Sequence, residues 1–217
     1  MMKLNLSCGS DGNLKVLCLG SHSDDIEIGC GGTILQLLQQ YPACTFYWVV
    51  FSAIGVRKAE AQRGVESFVG CKNLAHSLFK EFPDTRMPFV GADIKTSFDE
   101  LKQLVSPDLI FTHSSKDAHQ DHRLISELTW NAFRDHFILE YEIPKYDGDM
   151  GQPSVFVPLE PDSCKRKIRY ILDVFKSQHC KRWFEESTFL SLMRLRGMEC
   201  NAPSGYAEAF YCRKLAL

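Results

Sequence analysis

The chain has 217 residues, 45% of them hydrophobic and 24% charged, with a formal net charge of −2. A chain of this length can bury a substantial core without cross-links, and its composition excludes collagen-like, low-complexity and largely disordered classes. The balanced charge offers no concentrated basic footprint, so no nucleic-acid partner is expected. One domain spanning 1–217 is the expectation.

In chain order, Lys15 to Leu19 is a short apolar run that reads as a buried strand ending at Gly20. Gly31-Gly32-Thr33, followed by Ile34, Leu35, Leu37 and Leu38, reads as a helix start. Thr45 to Phe51 is β-branched and aromatic, a second buried strand. Helical spacing follows over Arg57 to Val69 and again over Ser97 to Val105. Leu109 to Thr112 is a third apolar strand, and Asp121 to Phe137 returns to helix. Leu139 to Ile143 and Ser154 to Val157 read as later strands, with two helices near Asp162 to Phe175 and Trp183 to Arg196. This alternation predicts an α/β fold, a three-layer Rossmann-like arrangement with a mainly parallel sheet.

Nine cysteines stand at 8, 18, 30, 44, 71, 164, 180, 200 and 212. Their number is odd, no pair is spaced C-x-x-C, and Met1 to Ser7 contains no secretory apolar region. They read as reduced thiols of a cytoplasmic protein, mostly small core residues. Cys30 is the one nearest the motifs below and is expected in the packing. No run approaches the ~18 apolar residues of a membrane span. Residues 158–217 hold 11 Lys/Arg against 7 Asp/Glu, and residues 1–157 hold 14 against 20. The basic C-terminal part is either a set of solvated helix faces or a wall for an anionic substrate.

Two motifs carry chemistry. Ser21-His22-Ser23-Asp24-Asp25 runs on to Gly31-Gly32-Thr33, and Thr112-His113 runs on through Asp117-Ala118-His119-Gln120-Asp121-His122-Arg123. Each follows a predicted strand and leads into a helix. In open α/β sheets ligand sites gather beyond the carboxyl ends of the strands, so a separation of about a hundred residues does not keep the motifs apart. Histidines and carboxylates so gathered suit a catalytic zinc, which takes three protein ligands and keeps one position open. His22 and Asp25 can grip one ion, and at least one of His119 and His122 can close the triad. A spare carboxylate can act as general base toward a water whose pKa the metal lowers toward ~7.

His-x-Asp-Asp with Gly-Gly-Thr, and the distant His-x-Asp-His-Arg, resemble the PIG-L/LmbE-like family of zinc-dependent N-deacetylases. Arg57-Lys58-Ala59-Glu60, Glu81-Phe82-Pro83-Asp84 and Tyr206-Ala207-Glu208-Ala209-Phe210 resemble further family segments, so the likeness runs from about Lys15 to about Phe210. It implies that His22, Asp25 and His122 bind one Zn2+, or another divalent metal, per chain. It implies Asp24 as the general base, His119 as a holder of the oxyanion in an imidazolium form, and Asp121 as a residue that orients a neighbouring histidine. Ser23 and Gln120 stand where the family usually has proline, which affects the stiffness of each turn.

Other residues stay open between two accounts. Arg57, Asp84 and Arg196 are candidates for substrate binding, and an ion pair or cap explains each equally well. His113 reads as packing near a strand end. The Gly31-Gly32 amides either allow close helix–strand approach or face substrate. The segment 144–151 is a plain loop or a lid.

The expected reaction is removal of an acetyl group from an N-acetylated amino sugar or its conjugate, with a small-molecule sugar as partner. The basic C-terminal part mildly favours an anionic or nucleotide-linked sugar. Assembly into a homo-oligomer stays open. The rivals are a metal-dependent phosphoester hydrolase and a non-catalytic sugar-binding protein with a retained metal site.

Overall fold

The computed structural model describes Leu6 and residues 13–216; Met1–Asn5 and Cys8, part of the reading of the N-terminus and the thiols, lie outside the described residues. Among the described residues seven strands form one sheet in the order β3-β2-β1-β4-β5-β7-β6. These are β1 (Lys15–His22), β2 (Thr45–Ser52), β3 (Leu74–Phe79), β4 (Leu109–His113), β5 (Phe137–Tyr141), β6 (Val155–Pro158) and β7 (Ala207–Tyr211). β1 to β5 pair in parallel, and β7 runs antiparallel to both β5 and β6. Parallel strands are covered on both faces, which is why β1, β2 and β4 read as nearly continuous apolar runs.

The helices are α1 (Asp25–Gln40), α2 (Val56–Phe68), the single turn α3 (Gly70–Asn73), α4 (Gly91–Leu104), α5 (Gln120–Ala132), α6 (Pro161–Val174) and α7 (Glu186–Glu199). Alternate strand residues feed two cores. Val16, Cys18, Trp48, Val50 and Phe111 meet α1, α2, α6 and α7 on one face. Leu17, Leu19, Phe51 and Ile110 meet α4 and α5 on the other. This is the expected three-layer α/β arrangement. Each fully buried Leu, Val or Phe contributes roughly 1.5–3 kcal/mol. No helix among the described residues is long and apolar enough to cross a membrane. Cys30 is a buried thiol there.

The strand order reverses between β1 and β4, where Val16 pairs with Leu109 and Cys18 with Phe111. Both motifs therefore leave neighbouring strands at the topological switch point.

α1 departs from the sequence expectation. It starts at Asp25, and Gly31-Gly32 lies inside it. These glycines admit neighbours: a Cβ on Gly31 would lie 2.5 Å from the Phe68 ring, and one on Gly32 2.6 Å from Leu159. Side chains from the C-terminal part also bond this stretch of the helix. Gly32 and Thr33 donate their N–H groups to the Glu208 carboxylate at 2.8 and 2.6 Å. The Ile28 carbonyl also accepts from Lys167 Nζ at 2.6 Å. Lys167 closes the arrangement on Glu208, also at 2.6 Å, with both side chains buried. Those amides thus face Glu208 of β7.

Gly29 lies against Tyr141, whose ring would be 2.3 Å from an added Cβ. That ring is immobilised by its hydroxyl, which donates to the Leu19 carbonyl at 2.6 Å. Gly29→Ala is expected to lower stability by ~1–3 kcal/mol through overpacking, read by urea or thermal unfolding. Wild-type stability in that variant would show that Tyr141 can retreat.

Candidate metal centre and active site

His22 ends β1, Asp25 opens α1 and His122 lies in the first turn of α5. Three atoms from these elements converge. His22 Nδ1 is 3.2 Å from His122 Nε2 and 3.3 Å from Asp25 Oδ2, and His122 Nε2 is 3.5 Å from that same oxygen. The surrounding hydrogen bonds select the tautomers. His122 Nδ1 donates to Asp117 Oδ2 at 2.9 Å, which leaves Nε2 with its lone pair. His22 Nε2 faces Asp84 Oδ1 at 3.0 Å and Asp121 Oδ2 at 3.3 Å, which leaves Nδ1 with its lone pair. Three electron-rich atoms then point at one another and require a cation between them.

The spacing suits zinc. Tetrahedral ligands at ~2.0–2.1 Å from an ion stand ~3.3–3.4 Å apart, close to all three observed edges. Other donor sets overlap this triangle within 4.8 Å: His22, His119 and His122; Asp25, His113 and His122; and His22, Asp84, His119 and Asp121. The residues present therefore fit a divalent cation.

The local charges agree. Burial by itself would lower the His22 pKa, but Asp25, Asp121 and Asp84 hold it well above its ordinary value. Burial would raise the Asp25 pKa, yet His122, His113 and His22 hold it well below the usual carboxylate range. The N-terminus of α1 adds favourable partial charge for both Asp24 and Asp25.

Asp24 immediately precedes α1 and is buried. Its Oδ1 accepts from Arg57 NH2. Arg57 is itself fixed: its NH1 donates to Glu60 Oε2 at 2.9 Å and to Ser177 Oγ at 3.4 Å, and its guanidinium lies 5.6 Å from the Phe175 ring centroid. Ser177 bonds Glu60 through both its N–H and its hydroxyl, so the C-terminal part supports the site from behind Arg57.

His119 caps α5, and its Nδ1 accepts from the Asp121 N–H at 3.3 Å. Its hydrogen therefore sits on Nε2. Burial and the neighbouring His122 and His22 push its pKa down, which favours a neutral imidazole over the expected imidazolium.

The structure also places the remaining candidates. Asp121 is fully buried and accepts from the Thr85 and Met87 N–H groups at 2.8 and 3.2 Å, in addition to facing His22. Asp84, a substrate candidate, contacts His22 and stays largely exposed. Arg196 is not brought to the cluster. It is buried, and its guanidinium is committed to Glu142, Glu199 and the Gly151 carbonyl. Its charge holds the fold together at that point.

Two residues were missed. Asp117 orients His122, and its signal was available: a metal-binding histidine nearly always donates its other N–H to a carboxylate or carbonyl. Glu27 is fully buried beside Asp24, and neither oxygen has a protein partner among the described residues. Burial drives its pKa well up. His113 packs as expected, stacked on His122 at 3.9 Å between ring centroids, but it also reaches Asp25 Oδ2 at 3.2 Å.

Residues 17–133 match the sequence model of PIG-L, described as GlcNAc-PI de-N-acetylase. This chain belongs to the PIG-L family. Over 139 residues it is 29% identical to YaiS of Escherichia coli (strain K12), an uncharacterized deacetylase, covering 59% of this chain and 74% of that protein. Its fold resembles N,N'-diacetylchitobiose deacetylase from Pyrococcus horikoshii with a TM-score of 0.69 at 20% identity, covering 92% of this chain and 83% of that one. It also resembles GalB, the 4-carboxy-2-hydroxymuconate hydratase of Pseudomonas putida KT2440, with a TM-score of 0.75 at 17% identity, covering 94% and 98%. This PIG-L chain thus shares its architecture with proteins of more than one chemistry.

Metal uptake has a definite pH sign. A metal must displace the proton that the raised His22 pKa retains, so binding should release a proton and weaken as pH falls, by up to about tenfold per unit below that pKa. Calorimetric titration in buffers of different ionisation heat checks this. Uptake without proton release at a pH where the metal-free His22 is protonated would count against His22 as a ligand.

Proposed function

We propose that this protein hydrolyses the acetamide of an N-acetylated amino sugar or its conjugate, using one zinc ion held by His22, Asp25 and His122. The observation that carries this reading is the triangle of lone-pair atoms beside Asp24, in a chain of the PIG-L family. Bound zinc would polarise the amide carbonyl and lower the pKa of water toward ~7.

The chain's own residues supply the proton transfers. Arg57 anchors Asp24 through Oδ1 and leaves Oδ2 to take the proton of the attacking water. The neutral His119 directs its Nε2–H at the oxyanion of the tetrahedral intermediate. As the C–N bond breaks, the proton on Asp24 passes to the leaving nitrogen, because an amide anion leaves too poorly on its own. The products are a free amine and acetate. Asp121 and Asp84 orient His22, and Arg57 and the exposed side of Asp84 are the proposed sugar contacts.

The fold by itself does not choose between amide hydrolysis and hydration, since GalB shares it. Membership of the PIG-L family favours the amide. The C-terminal surplus of positive charge supports an anionic sugar only weakly, because Lys167 and Arg196 are buried in ion pairs.

Acetate release from a panel of free, glycosidic and nucleotide-linked N-acetyl sugars tests the proposal. Turnover should vanish on chelation and return with stoichiometric zinc. Asp24→Asn should keep its zinc and lose roughly 10²–10⁴-fold in kcat, the range for a general base. A wild-type rate in metal-free protein or in Asp24→Asn would overturn the mechanism. Two metals per chain with phosphoester cleavage would favour the phosphoesterase rival. Sugar binding without acetate release, in zinc-loaded protein, would favour the binding protein.

A further inference from the structure

The segment 144–151 is neither a plain connection nor a free lid. It leaves the carboxyl end of β5, turns at Gly148 with φ 63°, and is fastened at several points. Lys145 Nζ donates to Asp149 Oδ2 at 2.5 Å and lies 3.0 Å from Asp117 Oδ1. Asp149 Oδ2 also accepts from the Ala118 N–H at 2.6 Å. Tyr146 accepts from the Arg182 N–H at 3.1 Å, and Arg196 holds the Gly151 carbonyl at 3.0 Å. The Lys145 side chain is only 10% exposed, so its charge is largely removed from water and set against Asp117.

Asp117 connects this strap to the metal centre. Its Oδ1 also accepts from the His119 N–H at 2.8 Å, and its Oδ2 receives the His122 Nδ1–H at 2.9 Å. A carboxylate between three donors has little freedom to rotate. Removing the ammonium takes away the donor that comes from outside the Asp117–His122 turn. Asp117 could then tilt, and with it the histidine whose Nε2 completes the triangle.

We propose that Lys145 is a positioning residue of the metal centre, acting through Asp117 on His122. The strap carries the placement of β5 and α7 to the ion. The inference rests on His122 being a metal ligand, as proposed above.

The test measures zinc affinity by competition with a chromophoric chelator, independently of turnover. His122→Ala should lose zinc. Asp117→Asn should weaken binding by about 10–100-fold, the usual cost of removing the carboxylate behind a ligating histidine. Lys145→Met keeps the length of the side chain without the charge and should weaken binding about tenfold, a loss at the lower end of that range. Lys145→Arg should recover most of it. The His122 ring ¹⁵N shifts should move in Lys145→Met and return in Lys145→Arg.

Circular dichroism and thermal unfolding of the metal-free variants establish that they are folded. Asp149→Asn, which loosens Lys145 without removing it, should show a smaller loss and serves if Lys145→Met does not fold. If His122→Ala loses zinc while folded Lys145→Met, or its substitute Asp149→Asn, binds as wild type, the positioning role is wrong. A loss in Lys145→Met that Lys145→Arg does not recover would overturn the charge mechanism. If His122→Ala keeps its zinc, the ligand set itself is wrong.

Discussion

The site depends on an electrostatic conflict. His22 Nδ1, His122 Nε2 and Asp25 Oδ2 bring three lone pairs within 3.5 Å of one another. Such an arrangement is repulsive without a positive charge at its centre, and a proton or a metal ion relieves it. The surrounding carboxylates fix this polarity: Asp117 takes the Nδ1 hydrogen of His122, while Asp84 and Asp121 face Nε2 of His22. Reversing either tautomer would put a hydrogen where the cation belongs. The β1–β4 switch point supplies the scaffold, because adjacent parallel strands deliver both motifs to one edge of the sheet.

The same geometry separates two adjacent aspartates. Asp25 turns toward the histidines and Asp24 toward Arg57. Their separation follows from the helix start, where one residue is still outside α1 and the next is its first. Asp24, the proposed base, thus stands beside the proposed metal site without being among its nearest donors. Arg57 is in turn immobilised by Glu60 and Ser177, so placement of Asp24 draws on the C-terminal part of the chain.

Much of this was legible in the sequence, for identifiable reasons. β1, β2 and β4 are buried on both faces and show as apolar runs, and the motifs stand directly after two of them. β3 (Leu-Ala-His-Ser-Leu-Phe) was not read, because an edge strand carries polar residues that blur the pattern. β7 was noticed only as a closing segment, since its Glu208 looks unlike a core residue until Lys167 and the α1 amides are seen around it. Gly31-Gly32 suggested a helix start because glycine is a poor helix former, while its actual reason is the approach of Phe68 and Leu159. The role of Arg196 depends on its partners in a distant loop, which local spacing does not show.

The long-range bonds made to α1 bear on how the molecule is made. α1 lies near the amino end of the chain, yet two of its amides and one of its carbonyls are satisfied by Glu208 and Lys167, near the other end. While the chain is being synthesised, the turn that carries Asp25 can form before these distant partners of α1 are translated. The Glu208 bonds to α1 therefore form only after β7 has been made. A chain stopped before β7 would keep every proposed ligand and leave Gly32 and Thr33 without their Glu208 partner.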